Sequence, residues 1–235
     1  MMKRKFTTLL ALGVCASASA QTILIDFNDN IAAANTTLPG DVYNIADLLS
    51  ATSFSGLSYA DGSAATGISL DVTDNSGDGF AWVQGNSLSA TDGFSAAAIN
   101  DGYRDKTPGG ANPNTVWTFT ISGLDVSGAT TYDIDHFAYS NLGSGRTADV
   151  TLTAGSTSGT SIYSGINTQN YGTITFSGVT PNPSGEIAYT FGNTSNNRAA
   201  TVNALRITAV PEPSTYAVLV GLITLGVVVV RRRRQ

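Results

Sequence analysis

Histidine, cysteine and charge are all scarce in this chain. One histidine, one cysteine and 12% charged residues leave little of the chemistry that most active sites use. The cysteine, Cys15, sits in an N-terminal apolar stretch, and nothing after residue 20 offers a disulfide or a thiolate. No Gly-x-Ser-x-Gly or His-Glu-x-x-His string occurs, and Glu186 is the one glutamate between Gln21 and Ala209. That stretch holds sixteen acids against five bases, a balance of −11. Such a surface repels nucleic acid and anionic lipid, so a nucleic-acid function is excluded.

Seven of the twelve basic residues lie instead at the two ends. Lys3, Arg4 and Lys5 precede an apolar run from Phe6 to Cys15, and Ala18-Ser19-Ala20 gives a small-x-small cleavage pattern. Residues 1–20 therefore read as a secretory signal, cut between Ala20 and Gln21. The rival reading takes Leu12 to Cys15 as a lipobox, with Val14 a poor fit before the cysteine. Once exported, the chain must gain its stability from an ordinary core. Nine Tyr, nine Phe and two Trp supply the material for one.

The periodicity of the body is two. From Thr115 to Ser122 hydroxyl residues alternate with Trp117, Phe119 and Ile121, the pattern of a strand buried on one face. Tyr132 to Tyr139, Thr147 to Ala154, Gly172 to Val179, Glu186 to Phe191 and Val202 to Ala209 continue in the same manner. Thr22 to Phe27, Gly67 to Thr73 and Phe80 to Gln84 are earlier candidates. Asp-Gly pairs begin at Asp61, Asp78, Asp92 and Asp101 and mark tight turns. Asp41 to Leu49 is the one helix-compatible piece. Many short strands imply an all-β domain over 21–209, a jelly-roll-like antiparallel β-sandwich.

The last 26 residues, 210–235, differ in kind. Residues 214–230 are seventeen uncharged, mostly aliphatic positions, about 25 Å of helix, ahead of Arg231, Arg232, Arg233 and Arg234. That is a single C-terminal transmembrane helix with a cytoplasmic basic stop. Before it stand Val210, Pro211, Glu212 and Pro213, whose prolines should hold the strip extended and outside the last strand. This three-part array after a signal peptide resembles the PEP-CTERM sorting signal of Gram-negative bacteria. The resemblance implies an exosortase-type processing enzyme as partner and cleavage at or near Pro-Glu-Pro. It also implies an inner-membrane-anchored precursor, a final place in the envelope surface or extracellular matrix, and association with exopolysaccharide. More loosely, Tyr132 to Ile134, Arg146, Gly185 to Ile187 and Asn203 to Ile207 resemble galactose-binding-like bodies that precede such signals.

Candidates for chemistry in the body are few. His136 shares a strand face with Tyr132 and Ile134 and reads as a structural residue. Asp133 and Asp135 share the other face, without the opposed partner that a glycosidase requires. Asp74, Ser76 and Asp78, with Gly79, match the opening half of a calcium loop, but its closing Glu would fall at Gly85. A solvated Asp/Asn/Gly hairpin explains the same residues. Trp82, Tyr103 and Arg104 suit a loop-borne sugar platform. The leading expectation is a non-enzymatic surface or matrix protein. The alternatives are a carbohydrate-binding module, calcium-assisted in one version, and a polysaccharide hydrolase.

Overall fold

Trp117, Phe119 and Ile121 are all fully buried, as their alternation with threonine requires. The computed structural model describes residues 20–28, 41–75, 77, 79–83, 88–105, 116–139, 147–167, 172–192, 201–211, 226 and 230. Along these the chain forms β1 (Thr22–Asp26), β2 (Tyr43–Ile45), β3 (Ser53–Phe54), β4 (Ser69–Asp74) and β5 (Phe80–Val83). A four-residue helix, α1 (Ala96–Ile99), precedes β6 (Gly102–Asp105), β7 (Val116–Ser122), β8 (Thr130–Ala138) and β9 (Thr147–Ala154). Then come β10 (Ile162–Asn167), β11 (Gly172–Val179), β12 (Ile187–Gly192), β13 (Thr201–Val202) and β14 (Ala204–Pro211).

These strands make a β-sandwich with almost no helix. One sheet has the order β11-β8-β14-β1-β2 and the other β10-β9-β12-β7-β4-β3; a small third sheet is β13-β6-β5. All pairings are antiparallel except β1 with β2. Apolar residues of the two large sheets meet in one core: Ile23, Ile134 and Ile207 from the first, Val72, Phe119 and Phe191 from the second. At about 2 kcal/mol for each large apolar side chain removed from water, this interface dominates the stability.

His136 lies inside it, fully buried, its ring stacked at 4.4 Å on Phe191 and edge-on to Phe119 at 5.1 Å. Nε2 is 2.8 Å from the Thr201 carbonyl, which can only accept, so Nε2 carries the proton. Nδ1 then accepts the Tyr189 hydroxyl at 3.0 Å. Burial lowers the His136 pKa to about 4, so the ring is neutral. The expected structural role is what the fold displays.

Two expectations change. Asp41 to Leu49 is not helical: it holds β2 and a turn. Asn44 decides this, donating to the Leu24 and Ser58 carbonyls at 2.9 and 2.8 Å while its Oδ1 accepts from Ser58 N. Those tertiary bonds outweigh a weak local propensity. Second, the sorting strip does join the last strand, because Val210 pairs with Thr131 and Pro211 with Thr130. Ala209 N donates to Gln21 O at 2.8 Å, so the alternation turns Pro211 to that same side, past the start of β1. The missing proline N–H therefore costs the β8–β14 ladder nothing.

Candidate functional site

Where Gln21 enters β1 and Pro211 leaves β14, the sandwich opens into a cleft of about 740 Å³. Four separate segments line it: the start of β1, the β3–β4 connection with Tyr59 and Thr66, the β7–β8 connection with Leu124 and Asp125, and the end of β14. Tyr132 is buried, and Tyr59 packs half-buried against the core. Gln21, Thr66 and Asp125 are exposed.

The β7–β8 connection keeps its path because Gly123 has φ 79° and almost touches the backbone of residue 67. A Cβ at Gly123 would lie 2.0 Å from the Gly67 carbonyl oxygen, so no side chain fits. Leu124 N then donates to Gly185 O at 3.0 Å, and Asp125 N donates to the Tyr132 hydroxyl oxygen at 2.9 Å. Tyr132's own hydroxyl proton has no acceptor among the described residues. Burial pushes its phenol above the ordinary value, against the Asp125 amide bond, and Tyr59 is near enough to act on it electrostatically. The Ser127 amide and hydroxyl hold the Asp125 carboxyl below its usual range, so it is an ionised acceptor at the rim. Chemically this is a partly apolar trough with phenol, hydroxyl, amide and carboxylate groups along it. Asp125 is the one acid among the described residues that line it.

Of the proposed sugar platform, Tyr103 does not line this cleft. Tyr103 is 1% exposed, so its expected place as a surface platform is corrected. β6 lies between β5 and β13, with Tyr103 opposite Trp82 and Val202, and its ring joins the core. Its hydroxyl donates to Asp47 Oδ1 at 2.5 Å. Burial works against the Asp47 carboxylate, but bonds from Ser50, Tyr103 and the Leu49 amide outweigh it and lower the pKa. The side chains of Trp82 and Arg104 lie outside the described residues.

So do Ser76 and Asp78. Asp74, at the end of β4, accepts from Gly79 N at 2.6 Å, a bond that spans the connection from β4 to β5, which belong to different sheets. Among the described residues no group of three His, Cys, Asp or Glu side chains converges as a metal site. Asp133 accepts from Gly178 N, and Asp135 pairs with Arg206. Ala20 and Gln21 are exposed at the mouth of β1, and Val210 and Pro211 belong to β14. Glu212, Pro213 and Arg231 to Arg234 lie outside the described residues. Gly226 and Val230 are helical, and no helix of the described residues is long and apolar enough to cross a membrane.

No protein-family model and no curated protein matches the chain. Two solved structures are similar in part. TmCBM61, solved in complex with beta-1,4-galactotriose, shares 11% identity at a TM-score of 0.35, over 61% of this chain and 88% of that one. The enzymatically active domain of bacteriophage CBA120 tailspike protein 4 shares 12% identity at 0.33, over 60% of this chain and 19% of its own. Likenesses at that level say nothing of what this chain binds or does.

Gln21, Tyr132 and Pro211 stand out in the sequence for other reasons, but nothing there points to Tyr59 or Asp125. Tyr59 and Asp125 stand in short polar loops with no motif around them. Only the fold brings them to Tyr132.

Proposed function

We propose that this is an exported surface or matrix protein whose sandwich holds extracellular polysaccharide in the Tyr59–Tyr132 cleft. The observation that carries the binding reading is the cleft itself, in which two tyrosines stand beside the ionised Asp125. Sugar rings present apolar C–H faces to aromatic rings and hydroxyls to carboxylates and amides, and this wall offers both. With Asp125 the single lining acid among the described residues, the cleft suits retention of a glycan rather than its hydrolysis. The jelly-roll binding module is the finer fold reading that goes with it.

The delivery half of the proposal rests on the two ends of the sequence. The signal-like residues 1–20 and the PEP-CTERM-like residues 210–235 support export, temporary anchoring through the C-terminal helix and processing by an exosortase-type enzyme.

Binding is tested by passing the secreted protein over immobilised polysaccharides, including the producing cell's own. Tyr59→Ala and Asp125→Ala should each weaken retention at least about tenfold at a temperature where both variants remain folded. Absence of saturable retention by the unaltered protein on every polysaccharide would sink the reading.

A further inference from the structure

The inner end of β1 carries a group that neither the cleft nor the sorting tail uses. Asp26 is 1% exposed. Its backbone is fully engaged: it stands opposite Ala204 and Ile45, and its carbonyl accepts from Ala46 N at 2.9 Å. Its carboxylate is not. Asp26 Oδ1 is sealed from solvent, and no hydrogen bond reaches it among the described residues. The Asn28 side chain, two residues on and also 1% exposed, bonds the carboxylate, which leaves Oδ1 over.

The charge acting on this group has the same sign. Asp101 repels it, and no cation among the described residues offsets that repulsion. Asp101 is held there by Asn203, whose Nδ2 donates to the Asp101 carbonyl at 2.7 Å. The Asn203 backbone is itself fixed, accepting from Phe27 N at 3.0 Å and donating to Phe137 O at 3.1 Å. Gly102 wedges the next residue tightly: a Cβ there would lie 2.3 Å from the Val202 carbonyl oxygen. These bonds through Asn203 fix the chain at Asp101 near the end of β1, close enough for its charge to act on Asp26.

A buried carboxylate facing a second acid needs either a proton or a cation. We propose that Asp26, Asp101 and Asn28 hold a hard divalent cation of the calcium class between β1 and the α1–β6 junction. The donors are all oxygens, two carboxylates and an amide, which is the chemistry such ions select over imidazole or thiolate sites. Backbone carbonyls and water complete a coordination shell of this kind. Burial first and Asp101 second raise the Asp26 pKa to about 8, so in a chelator the site carries a proton that the ion must displace. The proposal is independent of the cleft, of the sorting tail and of the Asp74–Gly79 connection.

Its test uses the full chain in detergent, stripped with a chelator and then titrated with calcium chloride or magnesium chloride alone. One ion should bind per chain, and at millimolar calcium the melting temperature should rise by about 5 °C or more. The binding heat at neutral pH should vary with the ionisation heat of the buffer, as expected for proton release. Asp26→Asn should abolish the shift, and Asp74→Asn should keep it. Should Asp26→Asn fail to fold, Asp101→Asn takes its place. Melting of the unaltered protein that is indifferent to either ion overturns the proposal, and so does a calcium shift that survives these variants.

Discussion

Tyr189 of one sheet gives its hydroxyl proton to His136 Nδ1 of the other, at 3.0 Å, in a fully buried contact. Tyr189→Phe keeps the ring stacked on Phe119, 5.1 Å away, and removes only that donor. The stranded imidazole nitrogen should cost about 1–3 kcal/mol in urea unfolding. A variant as stable as the parent would show that the bond contributes nothing net.

Two buried groups set opposite pH dependences. His136 drops from 6.5 unfolded to about 4 folded, so it removes stability as pH falls through that window. Asp26 rises from 3.8 to about 8, so its contribution is full below 3.8 and is lost as pH climbs to 8. In chelator the slopes should cancel between about pH 4 and 6.5, followed by a fall of about 2 kcal/mol by pH 8. Asp26→Asn should abolish that fall and uncover a rise from pH 4 to 6.5. Urea midpoints across pH read both.

On the outer face, Arg206 Nε and Nη2 both lie 2.7 Å from Asp135 Oδ2. The same guanidinium donates to the Asp92 carbonyl at 2.9 Å and lies 5.0 Å over the Phe94 ring. Arg206→Met leaves a 6% exposed carboxylate supported by Thr175, at a cost of about 3 kcal/mol. Adding Asp135→Leu should recover part of that loss. Hydrogen exchange should also speed up at the Phe94 amide, whose turn bond to Thr91 O the arginine braces.

Gly123→Ala puts a methyl group against the backbone of residue 67 at positive φ. We expect destabilisation of about 2 kcal/mol or more, with polysaccharide retention lost as the β7–β8 connection moves. Unchanged melting would mean that the connection is not held by this contact.

Because β14 runs to Pro211, a processed chain should end no earlier than that residue. Mass spectrometry of the secreted form should find residues after about 213 removed. Alanines at Pro211, Glu212 and Pro213 should leave a membrane-bound precursor. A secreted form that retains Arg231 to Arg234 contradicts the sorting proposal.

The strands that could be read from the sequence are those with one wet and one dry face. β7 alternates along all seven residues, β11 and β14 alternate over shorter stretches in their middles, and Thr147–Ala154 and Gly172–Val179 come out at their observed bounds. β2 could not be read in this way. Its three residues are all half-buried, and its pairing with β1 is set by Asn44 bonding Leu24 of β1 and Ser58 of the β3–β4 connection. Tyr103 misled for a related reason: flanking Asp and Arg residues suggest a surface loop, yet the phenol needs only Asp47 to satisfy its hydroxyl and bury the ring. Neither the cleft nor the Asp26–Asp101 pair has a local signature, because each is assembled from segments separated by tens of residues.

The position of Pro211 beside Gln21 also has a mechanical meaning. Whatever pulls on the chain beyond Pro211 acts at the same pole as a ligand in the cleft. Tension between the two enters one end of the β8–β14 ladder and meets the Thr130–Pro211 rung first, then Thr131–Val210. Loaded in this order the rungs peel singly rather than share the force, so the joint gives at its edge. The aromatic interior around His136 stays out of the load path.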